Sequence, residues 1–102
     1  MIPDIRATTW VYILVQNLGD GEQIVGQHDK TNDIAFIPMF LDKESAMQGV
    51  LHMALKKSKK LEIQAIIYED LENYAAQGSF ILFVLDAEGR IIDKKVPDRP
   101  LS

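Results

Sequence analysis

The sequence contains no cysteine and only two histidines in 102 residues. Without cysteine the chain has no disulfide, no thiolate nucleophile and no Cys-based zinc site. Its longest apolar run, Phe80 to Leu85, is far shorter than the ~20 residues that cross a bilayer. The first residues, Met1 to Arg6, also lack the basic segment and long apolar stretch of a secretory signal. We therefore expect a cytoplasmic protein with no membrane partner.

Positive charge is scarce too, because 11 Lys and Arg face 15 Asp and Glu, which gives a formal net charge of -4 and a pI near 5.0. Nucleic-acid binding by phosphate neutralisation needs a concentrated positive field, so no nucleic-acid partner is expected. The segment Lys56 to Lys60 holds four lysines without aromatic residues between them. We interpret it as the cationic C-terminal end of a helix, which complements the helix dipole.

The composition that remains is that of a folded domain, with 47% hydrophobic and 25% charged residues. A chain of this length can enclose one modest core and leaves no room for a second domain. We predict a single α+β domain over residues 1–102, with residues 1–7 and 97–102 as loosely ordered termini. No internal repeat, low-complexity segment or linker interrupts it.

Hydrophobic patterning predicts six strands and two helices in the order βββαβαββ. The predicted strands are Thr8–Gln16, Gln23–Gln27, Ile34–Leu41, Leu61–Tyr68, Phe80–Leu85 and Arg90–Val96. The first helix is predicted from Lys43 to about Ser58, and the second begins at Glu69 and stops at Gly78. This order predicts a mixed sheet of about six strands, two right-handed crossovers and both helices on one face.

The junction between Leu41 and Asp42 is the clearest local feature, because a continuous apolar run changes there to helical spacing. Asp42 is a good N-cap residue. Pro38 lies inside the preceding apolar run and lacks an N–H, so we expect an edge, kink or bulge near it.

Two helices on one face would leave the other face of the sheet without cover, although both sides of Thr8–Gln16 and of Phe80–Leu85 are apolar. We expect this open face to bury itself against a second copy, giving a homo-oligomer. The alternative is that sheet curvature or the terminal segments cover it.

Acidic residues cluster where the two predicted helices begin, with Asp42 and Glu44 at one and Glu69 and Asp70 at the other. Such junctions lie at the carboxyl ends of strands, where ligands often bind in open sheets. Carboxylates at these positions would repel a phosphate, and helix capping explains them without a ligand. If the four residues form an interaction rim, a cation or a basic peptide suits it better.

No catalytic, cofactor-binding or metal-binding residue is assigned, and no cofactor is expected. His28 with Asp29 and Asp33 could form a metal or enzyme site, but the spacing matches no metal-ligand motif. Adjacent residues of a strand also point to opposite faces, so His28 and Asp29 would converge only at a turn. His52 falls on the polar side of the first predicted helix and is interpreted as solvated.

The segment from Phe36 to Ala46, in which a short apolar strand with an aromatic end runs into an acidic cap, a Glu and an Ala, resembles SseB N-terminal-type and Tic22-like domains. Tyr68 to Glu72 and Phe80 to Gly89 extend the likeness, which covers roughly positions 10 to 92 by element order. The resemblance implies a compact α+β domain with a sheet and two helices. It carries no catalytic residues, and at this length we expect neither an SseB-like second domain nor a Tic22-like targeting segment.

Two functional hypotheses follow. The first is a small interaction or adaptor module that self-associates and binds an unidentified protein partner through its sheet face or the acidic rim. The second is a small-ligand sensor with a pocket between the sheet and the first helix, walled by Met47, Met53 and Tyr74. An enzyme that uses His28 ranks below both.

Overall fold

The structure of the protein is a computed structural model that describes residues 5–17, 21–52 and 61–97. The strands are β1 (Trp10–Asn17), β2 (Glu22–Ile24), β3 (Gln27–Asp29), β4 (Ile34–Phe40), β5 (Leu61–Ile67), β6 (Ile81–Leu85) and β7 (Ile91–Lys95). The helices are α1 (Lys43–Gly49), which continues into a 3-10 turn at Val50–His52, and α2 (Tyr68–Gly78). The α+β class and the mixed sheet with two helices are confirmed, and the element order agrees apart from one additional strand.

The additional strand arises because the predicted strand Gln23–Gln27 is split at Val25 and Gly26. β2 pairs antiparallel with the end of β1, whereas β3 pairs antiparallel with the start of β4. β1 and β4 pair directly at Tyr12 with Phe40 and at Ile13 with Met39. The β2 and β3 segment therefore fills the space where these two strands diverge.

β1 is the centre of one half of the sheet and pairs antiparallel with β5 from Trp10 opposite Ile67 to Gln16 opposite Leu61. On its other side, β4 runs parallel to β6, and β6 pairs antiparallel with β7. The main order is β5-β1-β4-β6-β7. Within the described residues, β5 and β7 form the two outer edges, while the three-residue strands β2 and β3 pair with β1 alone and with β4 alone.

Pro38 lies in the interior of the sheet, where it is paired with Phe83 of β6. On the side of β4 that faces away from β6, the residues up to Phe36 pair with β3, whereas Met39 and Phe40 pair with β1. The residue without an N–H thus lies at the change of partner, where a missing donor costs least. The predicted irregularity near Pro38 is this switch, with neither a bulge nor a free edge.

The helices lie on opposite faces of the sheet, which corrects the prediction that both cover one face. On one face α2 packs Leu71 and Ala75 against the alternate residues Val11, Ile13, Val15, Ile37, Met39, Leu82 and Val84. On the other face α1 packs Ala46 against Phe40, Phe83 and Leu85. The crossover from β4 to β5 runs toward one edge and the crossover from β5 to β6 runs back. Two connections of the same hand must then use opposite faces.

Several sequence predictions fall outside the described residues. The predicted helix from Lys43 to Ser58 is seen as far as His52, so Lys56 to Lys60 and Met53 are not described. The same holds for residues 1–4 and 98–102 of the predicted loose termini. Ile5 packs against the α2 side of the core.

Candidate functional site

The acidic residues predicted as a rim lie at one end of the sheet. β4, β5 and β6 run in the same direction, because β1 is antiparallel to both β4 and β5 and β4 is parallel to β6. Asp42 and Glu44 follow β4, and Glu69 and Asp70 follow β5. Asp86, which follows β6, lies at the same end and was missed by the sequence analysis. The two helices place these carboxylates on both faces, so the rim is not one continuous surface.

Asp42 acts as the predicted N-cap of α1. Its backbone is extended, and its carboxylate accepts hydrogen bonds from the Ser45 N–H at 2.7 Å and from Ser45 Oγ at 3.0 Å. Glu44 accepts one from Gln48 Nε2 at 3.4 Å. These contacts occupy the carboxylates with the helix itself, as capping alone requires.

The backbone N–H groups at the start of α2 do not bind capping carboxylates, as the sequence suggested, but backbone carbonyls. The N–H groups of Tyr68 and Glu69 donate to the backbone carbonyls of Thr9 and Ala7 at 2.8 Å and 3.0 Å. No side chain caps this helix. The turn before β1 supplies the acceptors, and it is held by a 2.8 Å hydrogen bond from the Arg6 N–H to Thr9 Oγ1. A backbone partner some 60 positions away leaves no trace in local sequence, which is why it was missed.

Asp86 organises the hairpin between β6 and β7. Its Oδ1 accepts hydrogen bonds from the N–H of Arg90 and the N–H of Glu88, each at 2.9 Å, and Arg90 Nε lies 3.4 Å from Oδ2. The hydrogen bond from Arg90 is the largest influence, and together these contacts hold the pKa of Asp86 below its ordinary value of 3.8. The pKa of Asp29 is lowered as well, chiefly by a hydrogen bond from the Asn32 side chain at 2.9 Å.

These lowered pKa values predict acid-dependent stability. A carboxylate whose pKa is lower in the folded chain contributes stability above the unfolded pKa, and this is lost as the pH falls through the folded pKa. We expect the urea midpoint to fall as the pH is lowered toward and below 3.8. Asp86→Asn, which keeps an acceptor oxygen but cannot ionise, should flatten this dependence. An unaltered profile in Asp86→Asn would contradict the assignment.

His28 and Asp33 are brought together, whereas Asp29 is not part of their contact. His28 Nε2 lies 2.9 Å from Asp33 Oδ1, with 51% and 93% of the two side chains exposed. Asp29 instead accepts from the Thr31 N–H at 3.0 Å and closes the turn after β3. Since the pair is solvated and no group of three or more His, Asp or Glu converges within the described residues, it has the character of a turn contact.

Large apolar side chains are exposed on the face that α1 covers. Trp10 is 56% exposed, Met47 54% and Leu51 81%. Trp10 belongs to this face because it alternates with Val11, which packs on the α2 side. Gly49 and His52 lie against the hairpin of Asp86 to Gly89. Ala46 and Gly49 are the buried residues of α1, so the exposed Met47 and, in the 3-10 turn, the exposed Leu51 lie on the side of this segment that faces away from the sheet.

Shallow grooves lie on the α2 face and meet at Ile24. One has a volume of about 250 Å³ and places Glu22 and Gln64, hydrogen-bonded at 2.8 Å, above Ile13, Val15, Ile24 and Ile66. The other, of about 300 Å³, includes Tyr74, Phe80 and Gly26. Tyr74 and Met47 lie on opposite sides of the sheet, so they cannot wall one pocket between the sheet and α1 as the sensor hypothesis required.

Neither helix of the described segments has the length and apolarity needed to span a bilayer. The described part of the chain thus contains a carboxylate end, exposed apolar side chains on the α1 face and shallow grooves on the α2 face. No protein-family model, no curated protein and no solved structure matches this chain.

Proposed function

We propose that the protein is a protein-interaction module that self-associates through the apolar flank formed by Trp10, Met47 and Leu51. The exposure of these three side chains on one face carries the proposal. Single exposed apolar residues are ordinary on protein surfaces, but a group that shares one face is typical of a contact site. Trp and Met are also enriched at protein interfaces.

The short length of α1 supports this surface. α1 has seven helical residues and packs Ala46 and Gly49 inward, whereas α2 has eleven and packs Tyr68, Leu71 and Ala75. The shorter helix covers less of its face. Tyr12, Ile34, Phe36, Ile63 and Ile81 remain only partly buried there. We thus assign the incompletely covered face of the sheet, which the sequence predicted, to the α1 side. One helix is present on that face.

The proposal places the module in the cytoplasm, a location with which the lack of cysteine is compatible. The net charge of -4 disfavours a nucleic-acid partner. The acidic end at Asp42 and Asp70 is assigned the secondary role of attracting a basic segment of a protein partner.

Self-association should depend on the apolar flank. Sedimentation velocity of the wild-type chain from low to high micromolar concentration should show a reversible dimer, and Met47→Gln together with Leu51→Gln should weaken it by at least about tenfold in Kd, since each removes an exposed apolar contact. Both side chains are exposed, so the fold should be retained. Val96, which is 75% exposed and lies beyond β7, supplies the control Val96→Gln.

A wild-type chain that stays monomeric throughout this concentration range would refute self-association. A dimer that the double variant and Val96→Gln affect equally would assign the contact to another surface. Circular dichroism of each variant separates lost association from lost folding.

A second candidate function is small-ligand binding in the groove where Glu22 and Gln64 stand above Ile13 and Ile24. An apolar floor with a few polar groups is the usual form of a ligand site. A ligand that binds only the folded chain raises the melting temperature. Met47 and Leu51 do not line this groove, so their substitution by Gln separates the two functions.

A further inference from the structure

We propose that the second copy pairs with this chain along the free edge of β5, antiparallel and about a two-fold axis that passes through Gln64. The inference rests on the proposed self-association and identifies where it occurs. Within the described residues β5 pairs with β1 alone, over seven consecutive positions, so its other side offers unpaired backbone donors and acceptors.

The two edges of the sheet differ in how far they are protected. β7 carries Asp93, Lys94 and Lys95 among five residues, and charged side chains on an edge oppose pairing with another chain. The carboxylate of Asp93 also accepts a hydrogen bond from the Lys94 N–H at 2.8 Å and lies 3.3 Å from Lys95 Nζ. One of the backbone donors of β7 is therefore already satisfied from within the chain.

β5 has no such protection. Its sequence, Leu-Glu-Ile-Gln-Ala-Ile-Ile, contains one charged residue in seven and no proline. β-branched and other apolar residues dominate it, which favours strand pairing. Of the two edges, β5 is the one suited to accept another strand.

The number of paired residues selects the register, and the charge pattern is compatible with it. Pairing centred on Gln64 uses all seven residues and places Leu61 opposite Ile67 and Ile63 opposite Ala65 of the second copy. Glu62 then lies opposite Ile66, so the two carboxylates do not face each other. Along the seam between the two β5 strands, every side chain on the α1 side is apolar. The Gln64 side chains of the two copies lie opposite each other on the α2 side.

The seam also adjoins the apolar flank. Trp10 is paired with Ile67 of β5, and α1 contacts both β1 and β5. Two copies joined along β5 would form one continuous sheet with both α1 helices on the same face. The exposed side chains of Met47 and Leu51 from both copies would then lie on the same face of the joined sheet.

Cysteine crosslinking tests this arrangement, because the natural chain has no cysteine to interfere. Residues directly opposite in an antiparallel pair have Cβ atoms about 4.5–5.5 Å apart. The variant Gln64→Cys, treated with a short bismaleimide at a concentration where the chain is dimeric, should become a covalent dimer. Glu62→Cys is the control on the same strand and face, since its two copies would lie ~13 Å apart, and Lys94→Cys is the control on the other edge. Both controls should stay monomeric on a denaturing gel.

Ala65→Lys is a second variant that does not depend on crosslinking chemistry. Ala65 is exposed, and a lysine there should abolish the dimer in sedimentation, whereas Ile92→Lys on the β7 edge should not. The β5 assignment would be overturned if Lys94→Cys were crosslinked as efficiently as Gln64→Cys, or if the Ala65→Lys chain still formed the dimer. Self-association itself would stand in both cases. A wild-type monomer would overturn both proposals.

Discussion

Replacement of Gly49 by alanine should destabilise the protein, although alanine is the better helix former by about 1 kcal/mol. A Cβ atom at this position would overlap Cε1 of Phe40, lie 2.9 Å from Cζ of that ring and 3.1 Å from the carbonyl oxygen of Asp86. Phe40 is completely buried and cannot turn aside into solvent. Overpacking of this kind costs about 1–3 kcal/mol, and we expect Gly49→Ala to lower the free energy of unfolding by that amount in urea denaturation.

Gly21 provides the matched control, because a Cβ there would meet no atom within 4 Å. Gly21→Ala should therefore stay within about 0.5 kcal/mol of the wild type. Replacing the Phe40 ring by a smaller side chain tests the cause directly. In a Phe40→Leu background, Gly49→Ala should lower the free energy of unfolding by less than it does in the wild type. If Gly49→Ala were as stable as Gly21→Ala, α1 would not press on Phe40 as closely as the structure describes.

The Gly49 contact illustrates which features the sequence predicts. Asp42 as an N-cap, the start of the first helix at Lys43 and most of the apolar strands were predicted correctly because each depends on neighbours within one or two turns. A close approach between Gly49 and Phe40 depends on how a helix lies on a sheet. The glycine is visible in the sequence, but the ring that requires it is not.

The faces of the helices were predicted wrongly for a related reason. Apolar spacing in Lys43–Gly49 and Tyr68–Gly78 shows that each helix has a buried side, yet it does not say which face of the sheet that side meets. The direction of each crossover decides the face, and this direction follows from β5 pairing with β1 at the edge. Strand order was left open by the sequence, so the helix placement could not be derived.

The candidate site was predicted in part. Asp42, Glu44, Glu69 and Asp70 do lie at one end of the sheet, because parallel strands end together. Their role as a rim stays a prediction, as does the resemblance to SseB N-terminal-type and Tic22-like domains. The exposed flank of Trp10, Met47 and Leu51 was missed, since an apolar residue gives no sign in the sequence that it faces solvent.

The second helix was predicted to stop at Gly78 and does end there, but Gly78 is not the left-handed residue of the helix end. The left-handed residue at the helix end is Ser79, with φ of 60°, and the Phe80 N–H closes the helix on the Ala75 carbonyl at 2.8 Å. Gly78 is required for space: a Cβ there would lie 2.6 Å and 2.7 Å from two atoms of the Phe80 ring. Gly26 approaches the same ring, where a Cβ would lie 2.9 Å from Cε1.

Gly78→Ala should therefore cost about 1–3 kcal/mol in urea denaturation, because the ring is held between two glycines and stacked on Tyr74, with centroids 6.2 Å apart. In a Phe80→Ala background the clash is gone, and the same substitution should become neutral or stabilising through helix propensity. The two substitutions should thus be coupled by more than about 0.5 kcal/mol in a double-mutant cycle. Additive effects would mean that Gly78 serves the helix end itself, whereas coupling would establish that Gly78 is required for the close packing of α2 against Phe80.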